Sequence, residues 1–236
     1  MKILGLDSSG LVASVAVVEN DVLLAEYTTD YKKTHSQTLL PMLEELRNMI
    51  ELDMDTIDAI AIASGPGSFT GLRIGVSAVK GLAWAAEMPC IPVSTLEAMA
   101  WPLAHLEGNV VCAMDARRQQ IYNAVFLAEG GSLTRLRADR AVSLEETAAD
   151  LEELDGPMVI VGDGAKLCFD FLTSRGVPCD LAPGHLRLQS AVGVAMAAWR
   201  RWPEGCVSAQ ELTPTYLRLS QAERERLARE TGGCRQ

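Results

Sequence analysis

The chain opens with short apolar runs broken by turn residues. Lys2–Leu6, Ala13–Val18 and Val22–Tyr27 each read as a strand, and Glu19-Asn20-Asp21 between the last two is a natural hairpin turn. From His35 to Glu51 the spacing becomes helical, with Leu39, Met42, Leu43, Leu46, Met49 and Ile50 three and four apart. Thr34 or Ser36 is placed to cap this helix, and Pro41 is tolerated if the helix begins near Thr38. Ile57–Ala63 is a solid apolar run of strand length. After a glycine-rich turn, Gly71–Glu87 is apolar almost all round and reads as a second, doubly covered helix. Cys90–Val93 follows as a fifth strand, and Ser94 caps a third helix over Thr95–Ala104.

Near Gly108 the pattern restarts. Val110–Asp115 repeats the strand-then-aspartate opening of Ile3–Asp7, and Ile121–Leu127 with Ser132–Arg137 forms a second hairpin across Ala128–Gly131. A helix (Ser143–Glu153), a strand (Met158–Val161), a helix (Ala165–Arg175) and a long helix (Ser190–Trp202) complete the second half. A repeated unit of meander plus helices reads as two stacked α/β domains of similar topology, the alternative being a chance likeness of two β-meanders. The expected division is 1–106, 107–205 and a C-terminal segment 206–236, with part of 190–236 rejoining the first unit. Alternating Glu and Arg over Ala222–Glu230 read as a solvated helix or frayed tail.

Composition narrows the function. With 236 residues, 48% of them hydrophobic and 22% charged, the chain buries a real core and belongs with ordinary globular proteins. A net charge of −10 opposes direct binding to nucleic acid, which needs clustered Lys and Arg, so any role on tRNA would run through a more basic partner. No segment approaches the roughly 20 apolar residues of a membrane span. The six cysteines are scattered, never CxxC, and no leader-like segment is recognisable, so reduced thiols and a cytoplasmic location are expected.

The residues most open to chemistry lie in Gly65-Pro66-Gly67-Ser68-Phe69-Thr70-Gly71-Leu72-Arg73. Between a strand and a helix N-terminus, such a loop either cradles an anion on its free N–H groups or simply makes a tight turn. It lacks the Gly-Lys-Ser/Thr ending of a P-loop. This loop, the opening Ile3-Leu4-Gly5-Leu6-Asp7-Ser8-Ser9, the helix start Thr34–Met42, the segment Pro92–Glu97 and Pro214–Arg218 together resemble the bacterial TsaB (YeaZ) family, over residues 1 to about 218. The resemblance implies an actin/Hsp70/sugar-kinase-like fold of two duplicated ribonuclease-H-like domains. It also implies a non-catalytic role in making threonylcarbamoyladenosine in tRNA. The implied partners are a TsaD-like catalytic paralogue and a TsaE-like ATPase, with a homodimer when the paralogue is absent and tRNA met only through the complex.

In this fold, Asp7, Ser8, Ser9 and Asp115 would line a nucleotide cleft, here a vestigial one, although Asp7 is equally suited to capping a turn. Ala116-Arg117-Arg118 sets cations beside Asp115, and Gly162-Asp163-Gly164 is the one, weak candidate for an adenosine loop. The similar TsaD family carries Val-Asn-His-Leu-Glu-Gly-His, whose two histidines one helical turn apart hold a metal. The matching stretch here is Val93-Ser94-Thr95-Leu96-Glu97-Ala98-Met99, so no metal, cofactor or catalytic residue is expected. His105 begins a look-alike ten residues too late, and neither His35 nor His185 has a ligand at chelating spacing. What remains is a surface. Small residues four apart, Gly71/Gly75 and Ser77/Gly81/Ala85, form rows that suit close helix packing, against their own sheet or against a partner. The expected partner face comprises Met42, Met49, Arg73, Ser77, Gly81, Trp84 and Ala85. An ATP-dependent small-molecule kinase of the same fold and a metallopeptidase are the competing readings.

Overall fold

A computed structural model describes residues 1–31, 33–117 and 120–218. Five strands, β1 (Lys2–Asp7), β2 (Ala13–Glu19), β3 (Val22–Thr29), β4 (Ala59–Gly65) and β5 (Cys90–Ser94), form one sheet in the order β3-β2-β1-β4-β5. Five more, β6 (Gly108–Asp115), β7 (Gln120–Glu129), β8 (Ser132–Ser143), β9 (Met158–Val161) and β10 (Asp180–Leu181), form a second in the order β10-β9-β6-β7-β8. Each sheet is an antiparallel meander extended by two parallel strands, so the two topologies are the same. The likeness reaches single residues. Asn20-Asp21 and Gly130-Gly131 both turn with positive φ, as a two-residue hairpin loop between right-twisted strands requires. Asp7 and Asp115 end the equivalent central strands β1 and β6. This is the duplicated ribonuclease-H-like architecture of the actin-like fold.

Among the described residues six helices cover the sheets: α1 (His35–Met49), α2 (Phe69–Ala86), α3 (Thr95–Ala100), α4 (Leu144–Leu151), α5 (Ala165–Ser174) and α6 (Ala191–Arg201). On the outer face of the first sheet, Leu39, Met42, Leu43 and Leu46 of α1 and Val76, Val79 and Ala83 of α2 meet Leu6, Val15, Val17 and Ile62. On the outer face of the second, α4 and α5 pack Leu144, Leu151, Cys168 and Leu172 against Val111, Val125 and Ile160.

The middle layer is exchanged between the halves. The late helix α6 lays Val194, Ala195, Ala197 and Ala198 on the inner face of the first sheet, against Ile3, Ala61 and Val93. The early helix α3 points Leu96, Met99 and Ala100 at the second sheet, against Val110, Cys112 and Phe126. The two helices touch so closely that a Cβ on Gly193 would overlap the Ala98 carbonyl. Ion pairs between side chains clamp the exchange. Glu97 of α3 pairs with Arg201 of α6 and with Arg135 of β8 (2.9 Å), and Arg135 also pairs with Asp139, which accepts from Ser94 Oγ (2.5 Å).

Several boundaries differ from the sequence expectation for local reasons. The first helix starts at His35, so Pro41 lies inside it, on the exposed side where water can satisfy the carbonyl left without a donor. Thr34 holds the N-cap position but makes no side-chain cap. The third helix ends at Ala100, and Trp101–Leu103 tighten into a 3-10 turn around Pro102. Ser143 and Glu146 form a reciprocal capping box that starts α4. Arg118 and the Ala222–Glu230 segment lie outside the described residues.

Candidate functional site

The glycine-rich loop leaves β4 at Gly65 and enters α2 at Phe69, capped by Ser68, whose Oγ accepts from Gly71 N at 3.3 Å. Its glycines are used by the chain itself. A Cβ on Gly67 would strike the Ser9 carbonyl, one on Gly71 the Ser8 carbonyl, and one on Gly75 Ser8 Oγ. Gly65, at φ 137°, faces the Thr215 carbonyl, while Thr215 N donates to Ser64 O at 2.7 Å. Ser68 N donates to Ser9 O at 2.6 Å, and Ser8 Oγ to Gly71 O at 2.9 Å. Polypeptide therefore fills the space that the loop would offer an anion. Ser68 and Thr70 remain exposed at its rim.

Asp7 sits at the centre of this packing, fully buried. Its Oδ1 accepts from Ser9 N (2.8 Å) and Ser9 Oγ (2.6 Å), while Oδ2 has no partner among the described residues. Burial pushes its carboxyl up to about 6, against the two bonds from Ser9 and the nearby His35, which pull the other way. His35 Nε2 bonds Gly10 O at 2.9 Å, and the buried amide of Gln189 closes over Gly10 from the other side. Asp7 thus behaves as the anchor of a turn. At the equivalent place in the second half, Asp115 is exposed and accepts from Arg117 N at 2.6 Å. Asp163 Oδ1 accepts from Asp115 N at 3.1 Å, and burial raises its carboxyl above the usual range. Gly162 and Gly164 are likewise tied to the chain, donating to Arg187 O and Ala113 O.

The positions matching the histidine pair point inward. Thr95 and Met99 are buried, Met99 against the second sheet, and Thr95 Oγ1 has no partner among the described residues. His105 and His185 are on the surface, the former bonded to Pro102 O. Among the described residues no group of three His, Cys, Asp or Glu is placed to hold a metal, and no helix is long and apolar enough to cross a membrane.

The small-residue rows of α2 face opposite ways. Gly71 and Gly75 lie inward, whereas Arg73, Ser77, Gly81, Trp84 and Ala85 are exposed along one side, with Trp84 63% exposed and open space where a Gly81 Cβ would stand. On α1, Met49 is 77% exposed, but Met42 is buried in the core. Met42 is therefore corrected from surface to core: its place in the helical repeat, beside Leu39, Leu43 and Leu46, turns it to the sheet. At the N-terminal end of the exposed row, Tyr216 stacks on Phe69 with ring centroids 4.4 Å apart.

Comparison with known proteins accords with this geometry. The chain is 32% identical over 227 residues to the tRNA threonylcarbamoyladenosine biosynthesis protein TsaB of Bacillus subtilis, covering 94% of this chain and 96% of that one.

The chain belongs to the TsaB family.

TsaB of Haemophilus influenzae is 38% identical over 92% of this chain and 94% of its own length. A family model described as "TsaD: tRNA N6-adenosine threonylcarbamoyltransferase" matches residues 22–173. Among solved structures, YeaZ from Pseudomonas aeruginosa superposes with a TM-score of 0.79 at 28% identity, covering 92% of this chain and 99% of that one. The ROK hexokinase of Thermus thermophilus, at a TM-score of 0.50 and 15% identity over 87% of this chain and all of that one, shares the fold alone. In this TsaB member two features escaped sequence reasoning. Gln189 precedes α6 in an unremarkable segment, and nothing local marks it as the residue that closes over Gly10. The stack of Phe69 on Tyr216 joins residues far apart in the chain, though both lie in the segments that carry the family resemblance.

Proposed function

We propose that this chain serves tRNA threonylcarbamoyladenosine biosynthesis as a non-catalytic scaffold. Its outer α2 row is the face that receives a TsaD-like catalytic partner, and a TsaE-like ATPase joins the pair. In the absence of that partner a second copy of the chain takes the same face. The observation that carries this reading is the division of α2. An otherwise apolar helix buries one small-residue row on Ser8 and leaves the other, Ser77, Gly81 and Ala85, bare beside Trp84. Small side chains four apart admit a second helix at close range, and Trp and Arg at the ends of the row are residue types that dominate binding energy. The site chemistry supports the absence of turnover. Ser9 and Thr215 occupy the glycine loop, Asp7 is enclosed in its own turn, and Thr95 and Met99 lie in the core. Threonylcarbamoyl transfer to N6 of the adenosine 3′ to the anticodon is then the partner's reaction.

The test sets a face variant against a cleft variant in a reconstituted tRNA modification assay. Ser77→Leu and Gly81→Leu should stay folded, lose the complex with the catalytic partner and lose modification. Asp7→Ala, if folded, should retain most of it. A kinase of this fold predicts the reverse order, and that outcome would replace the scaffold reading.

A further inference from the structure

We infer that Arg73 is a preset receptor for a carboxylate on the helix that docks along α2, and that the segment 210–218 holds it in place. The inference rests on the proposed partner face and says what chemistry the partner brings to it. Arg73 is the first residue of the exposed row, four before Ser77. Its guanidinium lies over the Phe69 ring at 3.9 Å from the centroid, and its Nε donates to Tyr216 Oη at 3.1 Å. Tyr216 is in turn stacked on Phe69 at 26° between planes and is 40% exposed.

The tyrosine is brought there from the far end of the chain by a run of fixed contacts. Lys80 Nζ donates to Gln210 O (3.1 Å) and Leu212 O (3.0 Å), Thr215 N to Ser64 O, and Arg218 to Ala116 O at 2.5 Å. Stacking and the Nε bond fix the plane of the guanidinium and leave its Nη edge, the two-donor fork that matches a carboxylate. Among the described residues Arg73 forms no ion pair, and Nε makes its one hydrogen bond. An immobilised guanidinium without a counter-charge, in a chain of net charge −10, is complementary to an acidic side chain that arrives on another molecule. The ordering of a long side chain, normally a cost of binding, is already met in the free protein. The occupant is therefore a helix bearing Asp or Glu, close enough to α2 for its carboxylate to reach the fork because Ser77 and Gly81 carry almost no side chain.

The experiment measures the dissociation constant of the complex with the catalytic partner at low and moderate salt, beside the melting temperature of each variant. Arg73→Met should weaken binding roughly 30-fold or more and flatten its salt dependence. Arg73→Lys should recover only part, since an ammonium lacks the planar fork, and Tyr216→Phe should weaken binding by a smaller factor with the charge intact. Ser77→Leu reports on the face itself. If Ser77→Leu abolishes binding while Arg73→Met and Arg73→Lys bind like the wild type, the face stands and the carboxylate receptor is wrong. If neither position matters, or the wild type does not bind, both readings fall. Should Arg73→Met fail to fold, a wild-type affinity indifferent to salt, or full affinity in Arg73→Lys, overturns the inference.

Discussion

Replacing Asp7 with Asn should shift stability in the variant's favour, relative to the wild type, as the pH rises. Asp7 is fully buried, Oδ1 is held by Ser9, and Oδ2 has no partner among the described residues. Desolvation lifts its carboxyl from 3.8 to about 6. Between those values the native state keeps a proton that the unfolded chain has released, so stability falls as pH rises through the window. At 1.36 kcal/mol per unit, the penalty for an ionised Asp7 levels off at about 3 kcal/mol above pH 6, and is about 1.5 kcal/mol at pH 5. Asn keeps an acceptor for Ser9 N and Ser9 Oγ but carries no charge. The Nδ2 of Asn would stand where Oδ2 has no partner, and a buried amide donor without an acceptor offsets about 1–3 kcal/mol of the gain at every pH. Urea unfolding followed by tryptophan fluorescence from pH 5 to pH 8 should therefore show the Asp7→Asn advantage growing by about 1.5 kcal/mol. A constant difference would mean that Asp7 titrates alike in both states. A wild type that gains on the variant at high pH would mean that Oδ2 has a positive partner after all, and the turn-anchor account would be wrong.

Glycines on the two rows of α2 should respond in opposite senses. Gly81→Ala should raise stability by about 1 kcal/mol, the helix propensity gain with nothing in the way, for a melting rise of about 2–4 °C. Gly75→Ala should instead lower it by about 1–3 kcal/mol, because the new methyl meets Ser8 Oγ and Ile62 Cδ1. Glu97→Gln should destabilise by about 1–3 kcal/mol, leaving Arg135 and Arg201 short of their shared carboxylate, and thermal melts in low and high salt should converge in the variant. Thiol alkylation at pH 8 should be slow at Cys90, Cys112 and Cys168, which are buried with thiols pushed up by desolvation, to about 11 at Cys90 and about 12 at Cys168. Peptide mapping of the alkylated native protein reads the order directly, and fast labelling of Cys112 would contradict the closed middle layer.

The strand and helix pattern was legible because its signals are local. Alternation, the hairpin turn at Glu19-Asn20-Asp21 and the cap at Ser94 each act within a few residues. The same holds for the repeated aspartate at the ends of β1 and β6. Strand β10 was not legible: it is two residues long and lies between Pro178… and Pro183 in a segment with no alternation to read. Met42 was misplaced although its spacing with Leu39, Leu43 and Leu46 puts it on the apolar stripe that the sheet covers. The glycine loop shows the limit most clearly. Glycine signals close approach without naming what approaches, and here the visitors are Ser8, Ser9 and Thr215 of the same chain.

The exchanged middle layer has a consequence for synthesis on the ribosome. The first sheet is complete once β5 has emerged, yet the helix that covers its inner face, α6, ends only at Arg201. At translation rates of about 5–20 residues per second, Ile3, Ala61, Val93 and their neighbours wait uncovered for about 5–20 s. The nascent first half is thus a sticky half-sandwich, while α3, already made, has no second sheet to rest on. Committed folding belongs to the last third of the chain, and a premature stop between β5 and α6 releases a product with a bare apolar wall, a natural client for chaperones and proteases.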